Sequence, residues 1–597
     1  MGNLHKVKIT DLVKDDYKYW KQGSMIFIFS GTGSGKTTLA LEKITISYID
    51  KGKRVLYLVP RELLREEINK IMQSIIAKSE YKYHAENYNN NFDIWTYQHL
   101  ENLLLNKINI KHFDLIICDE FHYFITDCTF NQNTQVSYNY IFYDNKNSTK
   151  LFLSATPDNI MEYLKCEIKE NYLIEPIEEP YIDYDVSLVT LAETLPEPEK
   201  QDTIEDIIKK IDNVLDKNIT QNGKKEHIEA KNLDIYMYKL PNHYDYLNVQ
   251  YLTNNDNIYE IIKNSPKEEK TIIFVNNKKK GEDIQNKLNK NNIKNIFITA
   301  DNKYTENKKG VNTLINTNTF PQKVFISTSV LDVGVNFLDI KITNIIIEAT
   351  ELVEFIQMLG RIRVIEENQK VSLFIHARTS NYFQHLRDFK IQNNLDCIEF
   401  LEKYSNISHI LEDEFIPGNT FQYKYKNYKN FLCLNNNSSI ELNKLTAFRF
   451  RELYTLYNNI CNKIKKDKYG FIKQQLQWLG LENTFSEENF YYVKMQKIYP
   501  EIIQKGIEEE AKRIKNKMSK SECMEILEKI QERINNFSNK IIKGKLSIKK
   551  FNFMCKNYNI AYCIAQRSEI INKERRTIYY LLSPNDDRIN ILKLFIQ

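Results

Sequence analysis

Between Met25 and Glu42 a buried-type strand, a glycine-rich loop and a helix start follow one another without a gap. Met25-Ile-Phe-Ile-Phe29 is apolar throughout, Ser30-Gly-Thr-Gly-Ser-Gly-Lys-Thr37 carries three glycines, and Thr38-Leu-Ala-Leu-Glu42 is helix-prone. A loop so placed turns successive backbone N–H groups and a helix N-terminus toward one anion. Gly33 and Gly35 let the backbone curl round a phosphate with no Cβ in the way. Lys36 offers a point charge to β and γ phosphates, and the Thr37 hydroxyl a ligand for Mg²⁺. The strict phosphate-loop pattern begins on glycine; here Ser30 takes that place.

The segment opens a longer rhythm. Apolar runs at Met25–Phe29, Arg54–Pro60, Asp93–Tyr97, Asp114–Asp119 and Lys150–Thr156 alternate with helical stretches, the pattern of a parallel sheet covered on both faces. The same alternation returns at Thr271–Val275, Asn295–Ala300, Lys323–Thr328, Ile342–Ala349 and Lys370–His376. Between the blocks lies a polar stretch with Pro and Asn, predicted to hold one small helix at 203–216. Beyond about residue 385 amphipathic helical patterns take over.

Asp114-Leu-Ile-Ile-Cys-Asp-Glu-Phe-His122 delivers adjacent carboxylates to the end of a buried strand. Ligands of open α/β sheets bind there, outside the carboxyl ends of the strands. Asp119 suits a Mg²⁺ ligand, and Glu120 a base that orients and deprotonates water. By itself such a pair is a solvated loop; downstream of Lys36 it is the partner that a phosphate loop needs.

In this order the motifs resemble those of superfamily 2 helicases of the DExH type, over about residues 20 to 380. Ser30–Thr37 is similar to motif I and Leu56-Tyr-Leu-Val-Pro-Arg-Glu-Leu63 to motif Ia; Thr96-Tyr97-Gln98 resembles a later strand-contacting element. Asp119-Glu-Phe-His122 looks like the DExH box and Ser154-Ala-Thr156 like motif III. Ile272–Asn276, Ser327–Asn336 and Gln357-Met-Leu-Gly-Arg-Ile-Arg363 resemble motifs IV, V and VI. The resemblance implies two tandem RecA-like P-loop domains, α/β with parallel sheets and helices on both faces, followed by a mostly α-helical C-terminal region. The predicted boundaries are 1–175, a connector 176–265, 266–385, and a basic region 386–597.

It further implies an ATP hydrolase using ATP and Mg²⁺. Gly31, Thr32, Gly33, Ser34, Gly35, Lys36, Thr37, Thr38, Asp332 and Gly334 would hold nucleotide, with Thr37 and Asp119 on the metal. Gln357 and Arg361 would face the γ-phosphate from the second domain. The family's last arginine of motif VI stands one position later than Arg363, where this chain has Val364. A continuing helix, at about 100° per residue, would turn Arg363 elsewhere, so Arg361 is the favoured finger and Arg363 the second candidate. Pro60, Arg61, Thr96 and Thr328 are implied to grip one strand's phosphates, which needs amides and hydroxyls but reads no sequence.

Charge is uneven. Residues 401–597 hold 34 Lys and Arg against 22 Asp and Glu, so the net charge of +5 leaves the first 400 residues acidic. A polyanion on the C-terminal third and simple lysine-rich codon bias both explain this. Phe421–Lys429 alternates aromatic and basic residues, an amphipathic strand first and a base-stacking platform second. Asn462–Lys468 reads as a solvated helix face. Ser547–Leu582 runs helix, break, helix and then the β-prone Thr577–Leu581, open to a helical cap, the preferred reading, or a winged-helix-like end. Nine cysteines without a C-x-x-C pair speak against a zinc ribbon and for a reducing cytoplasm. No apolar run near the start spans a bilayer. Expected partners are nucleic acid, DNA favoured over RNA from the form of motif VI, and no membrane; protein partners in replication, repair or phage defence stay open. A nucleotide-gated clamp that moves protein without separating strands shares these motifs and is the alternative.

Overall fold

The apolar runs of the first block become strands of one sheet: β1 (Met25–Phe29), β2 (Val55–Val59), β3 (Phe92–Thr96), β4 (Leu115–Cys118) and β5 (Thr149–Ser154). The computed structural model describes residues 7–78, 88, 90–170, 202–216, 222–230, 233–253, 258–299, 313–314, 317–328, 336–364, 366, 369–403, 428–434, 440–512, 517–537, 545–558, 560, 562–571 and 574–582. These five strands are parallel, in the order β3-β2-β4-β5-β1. A parallel sheet must be covered on both faces, and β1 shows how. Met25, Phe27 and Phe29 enter an aromatic core with Phe121, Phe142 and Phe152, whereas Ile26 and Ile28 enter an aliphatic one with Leu39, Val55 and Leu151. Phe27 lies opposite Phe152 with ring centroids 4.8 Å apart.

The sheet does not stop at residue 175. β6 (Lys224–Ala230) and β7 (Leu233–Lys239) extend it on the β1 side, β7 parallel to β1 and β6 antiparallel to β7. The stretch expected as connector therefore contributes two strands and the helix Ile204–Leu215 to the first lobe. The predicted helix is present; the strands went unread because β6, Lys-Lys-Glu-His-Ile-Glu-Ala, is a polar edge strand with one fully buried aliphatic residue, Ile228.

The second block forms a sheet of β8 (Leu247–Leu252), β9 (Lys270–Phe274), β10 (Asn295–Ile298), β11 (Val324–Ser327), β12 (Ile342–Ile347) and β13 (Val371–His376). Its order is β10-β11-β9-β12-β13-β8. β8 again belongs to a sheet although it precedes residue 266. The short antiparallel pair β14 (Leu432–Leu434) and β15 (Ile440–Leu442) leads into a 23-residue helix, Lys444–Lys466. Asn443 caps that helix by accepting from Thr446 N at 2.9 Å. The helix rests on both lobes. Leu445 enters the aromatic core of the first, and Thr446 Oγ1 donates to Cys128 O at 3.0 Å. One turn on, Arg449 pairs with Glu351 of the second.

Residues up to Phe485, except Gln250–Asp256, form one compact unit; Ser486–Gln597 form another with that short segment. The second unit has helices Tyr491–Ala511, Lys520–Phe537 and Ile548–Asn557 and the hairpin β16 (Cys563–Ile571) and β17 (Glu574–Leu582). Where a second helix was expected after the break, β16 stands instead. Among the described residues no helix is long and apolar enough to cross a membrane.

Candidate active site

β1 ends under the glycine-rich loop, and the turns Lys36–Thr38, Leu39–Thr45 and Ile46–Ile49 carry the helix onward, the middle stretch with wide i→i+5 hydrogen bonding. Gly33 at φ +79° and Gly35 at φ +94° occupy the left-handed region that a side chain would strain. Lys36 Nζ donates to the carbonyls of Ser30 and, at 3.2 Å, Gly31. It lies inside the loop's curl, and burial lowers its pKa against the opposing pull of Glu120 and Asp119. Thr37 and Thr38 sit in the first helical turn, and Ser34 O accepts from Ile9 N at 3.0 Å.

β4 delivers the carboxylates. Asp119 is 6% exposed; its Oδ2 accepts from Tyr57 Oη at 3.1 Å and its Oδ1 from Glu120 N at 3.0 Å. Burial, with Glu120 beside it, raises the Asp119 pKa to about 7, against the pull of Lys36. A carboxylate so desolvated is short of positive charge, which suits a cation ligand. Glu120 holds φ +49°, uncommon for a residue with a side chain and a conformation stored at functional turns. Next in line, His122 is buried, and burial lowers its pKa. Neutral His122 accepts from Gln357 Nε2 at its own Nε2. Its Nδ1 lies 3.1 Å from Ser154 Oγ and 3.6 Å from Glu120 Oε2. The DExH box, motif III and the second lobe thus meet at one imidazole.

Motif VI departs from expectation. Its helix, Leu352–Leu359, ends before either arginine, with Gly360 as its cap. Arg361 to Arg363 continue as a turn and a bridge, Phe337 N donating to Arg361 O at 2.8 Å and Arg363 N to Phe337 O at 3.1 Å. Arg363 therefore lies beyond the helix, and a turn of about 100° per residue does not set its direction. Arg363 Nε donates to Asn336 Oδ1 at 3.0 Å, and Nη1, buried and without a hydrogen-bond partner, lies 3.4 Å from where a Gly33 Cβ would sit. Arg361 is 7% exposed and acts electrostatically on Glu67 and His122. Gln357 Nε2 is bonded to His122 Nε2.

A cavity of about 350 Å³ opens between the lobes, lined by Gly31 to Ser34 on one side and Gly360, Ile362 and Arg363 on the other. Its third wall is one that the motifs gave no hint of: Asn242, His243, Tyr244 and Tyr246, in the turn after β7. A Cβ on Gly31 would meet Asn242 Oδ1 at 2.5 Å, and one on Gly360 would meet Thr32 Cγ2 at 2.8 Å. The two lobes and the turn are fitted to each other without room for a methyl group. No motif marks Asn242 to Tyr246; an aromatic pair in a polar connector was the one available sign.

Asp332 and Gly334 lie outside the described residues, as does most of the Phe421–Lys429 stretch. Pro60 follows β2 and Thr96 ends the neighbouring strand β3, at the same carboxyl edge. Arg61 is held by Asp127, with Nη1 2.5 Å from Oδ2, and also donates to Pro60 O. Thr96 caps the helix Tyr97–Leu105 and lines a groove of about 690 Å³ with Trp95, Gln98, His99 and Arg65. Thr328 follows β11 at the carboxyl edge of the other sheet.

Comparison with family models matches residues 5–159 to the "Type III restriction enzyme, res subunit" and residues 253–364 to the "Helicase conserved C-terminal domain". Comparison with curated protein sequences returns no match. Among solved structures, Dbp5 of S. cerevisiae bound to RNA and ADP BeF3 is similar at 14% identity, covering 61% of this chain and 82% of that one, with a TM-score of 0.36. A single-residue variant of Dbp5, likewise bound, gives the same identity and coverage at 0.37. The matched segments contain the phosphate loop and DExH box on one side and motifs IV to VI on the other; the phosphate loop and motif VI line the cavity from its two sides. Over these two segments the chain is similar to the helicases of superfamily 2, and it is an ATP-hydrolysing enzyme of that helicase type.

Proposed function

We propose that this helicase moves along DNA by opening and closing the cleft between its lobes once per ATP hydrolysed. The observation that carries the proposal is the buried, unpartnered Arg363 Nη1 of the second lobe, set against Gly33 of the phosphate loop. A guanidinium whose Nη1 is left without a hydrogen-bond partner there is costly unless an anion arrives. The γ-phosphate of ATP supplies that anion, so ATP favours the closed cleft and its hydrolysis products do not. A difference of this kind between nucleotide states is what drives a two-state cycle.

Lys36 and the loop amides hold the phosphates. Glu120, turned by its left-handed backbone, takes the proton of the attacking water, and Arg363 stabilises charge on the γ-phosphate as it transfers. Thr37 and Asp119 fit Mg²⁺, the buried carboxylate being the stronger argument. Held there, Mg²⁺ would supply positive charge against the phosphates. His122 reports the state of this site to Ser154 and Gln357, and so to the second lobe. Tyr244 and Tyr246 line the cavity where a nucleobase would lie and give it a stacking wall.

Pro60, Arg61 and Thr96 on one lobe and Thr328 on the other supply the strand grips, and closing the cleft shifts one set against the other. DNA is favoured by the Gln-Met-Leu-Gly-Arg-Ile-Arg form of motif VI and by the basic C-terminal third. A reducing, cytoplasmic setting suits nine cysteines that form no C-x-x-C pair. The test is ATP-driven displacement of a strand from tailed DNA and RNA duplexes by the parent and by Glu120→Gln. Displacement of DNA by the parent alone is the expected result. ATP turnover without displacement or translocation on any track would favour a clamp that remodels protein.

A further inference from the structure

We infer that the C-terminal unit is a second nucleic-acid site, which grips duplex DNA through the helix Ile548–Asn557 and the hairpin β16–β17. The inference does not depend on stepping by the motor lobes, since it concerns binding without nucleotide. Its first support is topology. Helix Tyr491–Ala511 is followed by a one-residue β-bridge at Met518, two more helices and the hairpin, and Met518 pairs antiparallel with Tyr579 of β17. That is the order of a winged-helix unit: helix, short strand, helix, helix and a two-stranded wing. The core is shared by all parts, with Ile503, Ile507, Leu527, Ile530, Phe551 and Ile564 buried together.

Charge is the second support. The first two helices each carry three basic and four acidic residues, whereas Ile548–Asn557 carries three lysines and no acid. From Lys545 to Leu582 there are eight basic residues and two acidic. Both acids are already engaged, Glu569 by Lys517 and Glu574 by Arg576. Lys549, Lys550, Arg567 and Arg575 are exposed, and among the described residues no ion pair involves them. Among the three helices and the hairpin, net positive charge therefore falls on the third helix and the wing.

The third support is presentation. Asn552 accepts from Ile564 N at 2.7 Å and donates to Ile564 O at 2.9 Å, which fixes the helix to the root of the hairpin. Asn552 thus faces inward while Lys549, Lys550 and Phe553 face out, and Phe553 is 66% exposed. On the wing Ile570 is 78% exposed. Two large apolar side chains held in water within a basic surface suit base edges flanked by phosphates. A helix of about 10–12 Å diameter fits the major groove of B-form DNA, about 12 Å wide. Double-stranded RNA has a major groove too narrow for it. Phe553 would meet thymine methyl groups there, and Ile570 the neighbouring groove.

The experiment measures binding of the full chain, without nucleotide, to a blunt DNA duplex across a salt series. The variants are Lys549→Ala/Lys550→Ala/Arg567→Ala/Arg575→Ala and, separately, Phe553→Ala, with single-strand-stimulated ATPase as the control. Removing four phosphate contacts should flatten the slope of log K against log salt by about 3.6, and at 50 mM salt weaken binding on the order of 100-fold or more. Phe553→Ala should lower affinity about tenfold and leave the slope alone. ATPase stimulated by single strands should stay at the parent level in both. No duplex binding by the parent, or an unchanged slope in the four-site variant, overturns the inference and points to a protein-docking face. Equal binding of duplex RNA would overturn the major-groove assignment. Failure of strand displacement with duplex binding intact would count against the motor proposal and not against this one.

Discussion

Replacing each arginine of motif VI in turn separates two readings that the motif alone leaves together. Arg363 Nη1 faces the phosphate loop across the cavity, and its Nε is fixed by Asn336. Arg363→Ala removes a pre-positioned cation from the cleft, where one such donor is worth about 3–4 kcal/mol of transition-state stabilisation. At about 1.4 kcal/mol per factor of ten, kcat should fall on the order of 10²–10³-fold. The Michaelis constant should move far less, because the loop amides and Lys36 still hold the phosphates. Arg361, buried beside Glu67 and His122, reaches the reaction through the imidazole. Arg361→Ala should therefore cost stability and coupling, with kcat within about tenfold of the parent. Arg363→Lys should recover little, since an ammonium cannot bond Asn336 and reach the phosphate together. The assay is steady-state ATPase with saturating DNA, beside urea unfolding to show that each variant folds. A collapse of kcat in Arg361→Ala with near-normal turnover in Arg363→Ala would refute the assignment.

Further outcomes follow from particular contacts. Gln357→Ala cuts the link between His122 and the second lobe, so basal ATPase should persist while stimulation by DNA falls at least tenfold, read from the ratio of the two rates. Lys150, 1% exposed near the start of β5, has its pKa pushed down to about 8 by burial. The unfolded chain binds that proton up to about pH 10.4, so stability rises with pH between 8 and that value and the full cost stands below pH 8. Lys150→Met should stabilise by about 2–3 kcal/mol at pH 7 in urea titration, the gain shrinking toward pH 10. In helix Lys278–Lys290, alanine at Gly281 would ordinarily gain about 1 kcal/mol, but its Cβ would overlap the Phe297 ring. Overpacking of about 1–3 kcal/mol wins, so Gly281→Ala should lower the unfolding midpoint.

What the sequence made legible follows from how much apolar signal each element carries. β1, β2 and β4 are buried on both faces and therefore read as unbroken apolar runs, which fixed their places to within a residue or two. The phosphate loop and the Asp119–Glu120 pair were legible because their chemistry demands particular residues at particular spacings. β6 and β7 were not, because an edge position needs few buried side chains and the connector's polar residues hid the alternation. The backbone turn at Arg363 was not legible, because the periodicity reads as a helix running through motif VI; Gly360 ends that helix, and no periodicity survives beyond it. The Asn242–Tyr246 wall was invisible for another reason. It is brought to the cavity by β7 lying beside β1, a pairing that local sequence does not announce. The C-terminal hairpin was half-read: β17 showed its β-branched and aromatic residues, while β16, with Gln566, Arg567 and Ser568 exposed, resembled an amphipathic helix.

The measurement that bears most directly on the motor is the ATPase rate of the parent and of Lys36→Ala, without polymer and with single-stranded DNA, duplex DNA or RNA. A rate raised at least tenfold by DNA and abolished in Lys36→Ala is the predicted result. Brisk hydrolysis indifferent to every polymer, or turnover surviving loss of Lys36, would contradict it.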